Sequence, residues 1–154
     1  MKKTSPLTLA RLAGRLALSK KGFDVKILKL KSISSVCDYF VIVSGDADVH
    51  VKAIANAIDD GMSQAGHFPA HREGLGQGNW VLLDYIDVVV HVFLESTRRF
   101  YALERLWGDA AVEEMSDDGD RTAAAASRTT TKKTVKKTTT KKTTTKTATT
   151  KKKK

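Results

Sequence analysis

The 154-residue chain has one cysteine, Cys37, and only two prolines, Pro6 and Pro69. A single cysteine closes no internal disulfide and builds no multi-cysteine zinc site, and it fits a reducing compartment. No apolar run approaches the ~18–20 residues that a membrane span needs. The basic start Met1-Lys2-Lys3 leads into an apolar stretch broken by Arg11 and Arg15 at helical spacing, unlike the core of a signal peptide. These absences predict a soluble, cytoplasmic protein with no membrane partner.

Acidic residues are also missing from one region. The chain carries 27 Lys+Arg against 17 Asp+Glu, a formal charge of +10, which taken alone points to nucleic acid or another acidic surface. Residues 121–154 hold 13 of the basic side chains and none of the acids, so residues 1–120 keep 14 basic against 17 acidic and a net charge of −3. From Thr122 onward the residues are almost only Thr, Lys and Ala. Such a segment cannot bury enough apolar surface to offset its ordering entropy, so it is expected to be disordered. The acid-rich stretch 113–120 reads as a polar hinge between body and tail.

Within the body, Ser5 is a good N-cap and Pro6 suits the first helical position. Leu9, Leu12, Ala13, Leu16 and Ala17 then form one apolar stripe, with Gly22 as the stop. Asp24–Leu30 reads as a strand. Tyr39–Val43 is a continuous β-branched and aromatic run that suits a central strand covered on both faces. Val51, Ile54, Ala55, Ile58 and Met62 mark a second helix, ended by Gly66. His67–Glu73 is a weaker edge strand, interrupted by Pro69. Trp80–Leu83 and Val88–Leu94 make a hairpin. A last helix from Ser96 or Thr97 is expected to place Phe100, Leu103 and Trp107 on one face. The order αββαβββα is that of a single α/β domain with a mixed sheet of about five strands flanked by helices.

Most motifs have a plain structural reading. Asp46-Ala47-Asp48 has the form of a Mg²⁺-binding pair, but it lies in a strand-to-helix turn, where capping accounts for it. Gly74, Gly76 and Gly78 lie between strands and not ahead of a helix, so they read as a hairpin connection and not a phosphate loop. Pro69 separates His67 from His71, and no other histidine or cysteine spacing builds a metal site. Cys37 reads as a small buried hydrophobe. No cofactor is expected. Trp80 and Tyr85, with Asp84 and Asp87, stand out as a recognition face as well as a core, because Trp and Tyr supply large contact area at small entropy cost. Arg98 and Arg99, at the start of the last helix, oppose its dipole and read as a phosphate contact.

Three strings then carry a resemblance: Asp38-Tyr39-Phe40-Val41-Ile42-Val43-Ser44-Gly45, Trp80-Val81-Leu82-Leu83-Asp84-Tyr85 with Asp87-Val88-Val89-Val90-His91-Val92-Phe93, and Leu103-Glu104-Arg105-Leu106-Trp107. Over roughly residues 5–110 the chain resembles the ribosomal silencing factor (Iojap-like) family. The resemblance implies a fold similar to a minimal nucleotidyltransferase core without its catalytic carboxylates. It implies a non-enzymatic repressor of translation that binds the large ribosomal subunit at ribosomal protein fourteen and sterically blocks the small subunit when nutrients are short. Carried over by position, the ribosomal-protein contacts are Trp80, Leu83, Asp84 and Tyr85, then Arg72, Asp87, His91, Arg99 and Tyr101. The chain departs from the family at Ile86, where glycine is usual and where a turn with φ > 0 strains a β-branched residue. Its Thr/Lys tail also lies outside the family core. The tail lysines Lys132, Lys133, Lys136, Lys137, Lys141 and Lys142 are expected to add rRNA phosphate contacts that weaken with salt. The competing reading is a metal-dependent nucleotidyltransferase using Asp46 and Asp48. Homodimerisation is left open by the sequence.

Overall fold

The computed structural model describes residues 3–117, so the expected tail at 121–154 and the end of the expected hinge lie outside the described residues. Helix α1, Pro6–Ser19, starts as its chemistry dictates: the Ser5 hydroxyl accepts from the Thr8 N–H at 3.2 Å, with Pro6 in the first turn. Its stop is built from three residues rather than one. Lys20 is the C-cap, Lys21 takes φ 62°, and the Gly22 N–H returns to the Ala17 carbonyl at 3.0 Å.

The strands are β1 Phe23–Lys29, β2 Tyr39–Gly45, β3 His71–Glu73, β4 Trp80–Asp84, β5 Val88–Leu94 and β6 Ala111–Met115. They form one sheet in the order β3-β4-β5-β2-β1-β6, parallel between β2 and β5 and antiparallel elsewhere. The parallel pair runs in register from Tyr39–Val88 to Gly45–Leu94 at the sheet's centre. Both strands are almost wholly buried, as the continuous run Tyr39–Val43 predicts for β2. Helix α2, Asp48–Gln64, lies beside α1 over one face. The two helices meet closely at Gly61, where a Cβ would lie 2.4 Å from a Leu16 methyl.

Two expectations are corrected. The first three residues of the expected acidic hinge, Glu113–Met115, belong to β6, a sixth strand along the edge of β1. Ion pairing explains how so acidic a segment joins the sheet. Glu113 accepts two hydrogen bonds from Arg11, at 2.8 and 3.0 Å, and Glu114 faces Lys26 at 3.8 Å. The expected single last helix is two short ones, α3 Glu95–Tyr101 and α4 Leu103–Leu106, broken where Ala102 adopts φ 45°. Phe100 is consequently 81% exposed, while Leu103 and Trp107 pack against the sheet.

Candidate recognition face on the β4–β5 hairpin

Strand alternation divides β4 between the two faces of the sheet. Val81 and Leu83 are fully buried in the core that α1 and α2 cover. Trp80, Leu82 and Asp84 alternate with them and are only half-buried, with Trp80 and Leu82 beside a second core of Phe40, Ile42, Val89 and Phe93. The loop before β4 holds Trp80 by backbone geometry. Gly74 adopts φ 83°, and a Cβ there would fall 1.9 Å from the Trp80 carbonyl oxygen, so only glycine lets the loop approach so closely.

The Trp80 indole stacks on Phe93, with ring centroids 4.8 Å apart, and Tyr101 of α3 lies 4.9 Å from it on the same side. Phe100 meets Tyr101 edge-on at 5.1 Å. Trp80, Phe100 and Tyr101, with Gln77, Asn79, Ser96 and Thr97, line an open groove of about 540 Å³. Because α3 and α4 are short, this end of the sheet keeps an aromatic surface that no described element fully covers.

The sequence-derived contact residues separate on these faces. Trp80 and Asp84 share the half-open face, and Tyr101 flanks it. Leu83 and Tyr85 lie instead in the helix-covered core, at 0% and 7% exposure. Burial pushes the Tyr85 phenol above its usual pKa. Arg72 reaches α2 and donates to Asp59 at 2.7 and 3.1 Å. Asp87 shapes the hairpin through its backbone, its carbonyl accepting from the N–H groups of Asp38 and Tyr39 at 2.9 and 3.1 Å. Arg99 is exposed and paired with Glu95. His91 is 4% exposed and touches Trp80 rather than solvent. Period-two alternation from Trp80 would have selected Leu82 and rejected Leu83. Phe100, Gln77, Asn79, Ser96 and Thr97 carried no such signal, since the loop before β4 and the start of α3 are brought together only by the pairing of β4 with β5.

Arg98 is corrected as well. It sits in the last turn of α3, where a cation suits the dipole, and it is 6% exposed. Its Nη1 donates to the Asp24 carbonyl at 2.6 Å and the Ser44 hydroxyl at 2.8 Å, and its Nε donates to Glu104 at 2.7 Å. It ties α3 and α4 to the central strands and is not presented to an external phosphate.

The Asp46–Asp48 turn has other partners than those expected. The N-cap of α2 is Ala47, and no side chain caps it. Asp46 lies 2.7 Å from His50 Nδ1, whose Nε2 lies 2.8 Å from the Lys20 carbonyl oxygen. Asp48 sits in the first helical turn and faces Lys52 at 3.7 Å. Among the described residues no group of three or more His, Cys, Asp or Glu is arranged to hold a metal, and no helix is long and apolar enough to cross a membrane. Cys37 is buried, and burial is the main cause that raises its thiol to about 11.

The chain matches the family model described as "Ribosomal silencing factor during starvation" over residues 2–151, a match that runs into the Lys/Thr-rich segment expected to lie outside the family core. It is 39% identical over 108 residues to "Ribosomal silencing factor RsfS" of Bacillus subtilis, covering 70% of this chain and 92% of that one. It is 32% identical over 117 residues to "Protein Iojap, chloroplastic" of Zea mays, covering 75% of this chain and 50% of that one. A crystal structure of a Chromobacterium violaceum protein superimposes with a TM-score of 0.67 at 34% identity, covering 68% of this chain and 88% of that one. The chain belongs to the ribosomal silencing factor family.

Proposed function

We propose that this protein represses translation by binding the large ribosomal subunit at ribosomal protein fourteen, where it sterically blocks the small subunit. The contact face comprises Trp80, Leu82, Asp84 and Tyr101, with Asp87 and Arg99 at its margin. One observation carries this reading: an aromatic cluster left half-uncovered at the end of a sheet, on a body whose net charge is −3. Aromatic anchors ringed by polar groups are the usual energetic centres of protein interfaces. An acidic body docks most readily on a basic partner, and ribosomal proteins are basic because they neutralise RNA. In this reading the protein is a regulator and not an enzyme, and it acts in the cytoplasm. The tail lysines Lys132, Lys133, Lys136, Lys137, Lys141 and Lys142 add contacts to rRNA phosphates.

Co-sedimentation of the full chain with purified large subunits tests the face. Trp80→Ala is expected to weaken binding at least about 100-fold, the scale of an interface hot spot, and to release subunit joining from inhibition. Inhibition of joining at wild-type protein concentration would remove the hairpin from the mechanism. Replacing the six tail lysines by alanine is expected to flatten the salt dependence of binding. An unchanged slope would remove the tail from it.

A further inference from the structure

His91 is buried at the middle of β5, between Val90 and Val92, both 0% exposed. Its Nδ1 lies 3.1 Å from the indole Nε1 of Trp80. An indole nitrogen can only donate, so Nδ1 is the acceptor and the imidazole proton resides on Nε2. That Nε2–H is buried and has no partner among the described residues. An unmade buried donor destabilises a fold. Packing does not require an imidazole here. Phe40 meets the ring edge-on at 4.5 Å and Phe93 lies parallel to it at 6.1 Å, contacts that a phenyl ring would also make. The fold therefore tolerates an unpaired donor to obtain a single acceptor, and that acceptor serves Trp80.

We propose that His91 is a positioning residue for recognition, holding the Trp80 indole in the orientation that the large subunit meets; this rests on the contact face proposed above. The imidazole does not touch the partner. Its hydrogen bond, together with Phe93 beneath the indole and Tyr101 beside it, selects one rotamer of a half-exposed tryptophan before docking. Side-chain immobilisation that would otherwise oppose binding is thereby completed in the free protein. Burial holds the imidazole pKa at about 4, so the ring is neutral and Nδ1 remains an acceptor at ordinary pH.

The test uses the full chain and three variants. His91→Phe keeps the ring contacts and removes the acceptor. His91→Asn places an amide oxygen near the Nδ1 position. Trp80→Ala reports the face itself. The readouts are the Trp80 indole N–H resonance, assigned against Trp107→Phe, the thermal midpoint, and affinity for purified large subunits. His91→Phe is expected to hold or raise the midpoint, to shift the indole resonance and speed its solvent exchange, and to weaken binding about tenfold. His91→Asn is expected to restore both the resonance and the affinity. If His91→Phe binds as the wild type does, or leaves the indole resonance in place, the positioning role is overturned. His91→Leu decides in the same way should the phenylalanine variant not fold. If Trp80→Ala binds like the wild type, the contact face falls and the proposal with it. If Trp80→Ala loses binding while His91→Phe keeps it, the proposal falls alone.

Discussion

The two faces of this sheet are made by the same strands and put to different uses. Beneath α1 and α2, the side chains of Val41, Val43, Val81, Leu83, Val90 and Val92 are all completely buried. On the other face, Ile42 and Phe93 are equally buried, but α3 and α4 are only seven and four residues long. They leave Trp80, Leu82 and Tyr101 partly uncovered. The strand period sends neighbouring residues of β4 to opposite faces, the odd positions into the helix-covered core and the even ones to the half-open face on which the proposed contact lies. A residue's place in a motif therefore says less about its role than its parity along the strand.

The sharpest way to break this comparison is to truncate one residue from each side of β4. Leu83→Ala is expected to destabilise the fold by about 3 kcal/mol, the usual scale for emptying a fully buried leucine site. The molecules that remain folded should bind large subunits with unchanged affinity. Trp80→Ala should show the inverse balance, with loss of binding exceeding loss of stability. Urea titration paired with co-sedimentation below the unfolding midpoint measures both. If folded Leu83→Ala protein lost its affinity, the two faces would not be separable.

The faces also divide the pH dependence of stability. His91, on the Trp80 side, has its pKa lowered by burial from 6.5 to about 4. Between those values the unfolded chain binds a proton that the native state refuses. Stability from this group is therefore complete above pH 6.5 and declines as pH falls towards 4, by up to about 3 kcal/mol. His91→Phe should lose that acid limb. Tyr85, on the helix side, has its pKa raised above the ordinary 10.0, chiefly by burial. Its contribution is present below pH 10 and is lost as pH rises beyond it. Tyr85→Phe should therefore soften the alkaline limb alone. Denaturant unfolding across pH, compared between the two variants, resolves which face fails at each extreme.

Much of this architecture is legible in the residues. The continuous run at Tyr39–Val43 identifies a central strand, because a strand apolar throughout needs cover on both faces, and Trp80–Leu83 with Val88–Leu94 is legible as the β4–β5 hairpin. Ser5-Pro6 and Gly66 mark helix boundaries by local chemistry. What escapes is what depends on distant partners. Glu113 and Glu114 look like solvated acids until Arg11 and Lys26 are brought beside them. Arg98 looks like a phosphate ligand until the Asp24 carbonyl, Ser44 and Glu104 close around it. The Ala102 break has no sequence mark, since alanine favours helix and only tertiary packing imposes φ 45° on it. For the proposed contact face, resemblance points to the segment, while which side chains of β4 lie on the half-open face follows from the alternation that the motif's continuity conceals.

The smallest expected effect lies at the hairpin end, where the two faces meet. Ile86 adopts φ 72° and is 71% exposed. The Asp84 carboxylate accepts its N–H at 2.7 Å, and the Tyr85 N–H donates to the Val88 carbonyl at 2.8 Å. A β-branched residue in the left-handed region is strained by about 1–2 kcal/mol, and so exposed a side chain gains little packing in return. Glycine removes the strain, but the greater entropy it gives the unfolded chain offsets part of that gain. Ile86→Gly is therefore expected to stabilise the protein by about 0.5–1 kcal/mol, read as a higher thermal midpoint. The Asp84 hydrogen bond is to the backbone and survives the substitution, so the carboxylate keeps its place and affinity for the large subunit should not change. A stabilised variant that binds more weakly would show that the strained isoleucine is itself a contact, extending the recognition face around the turn.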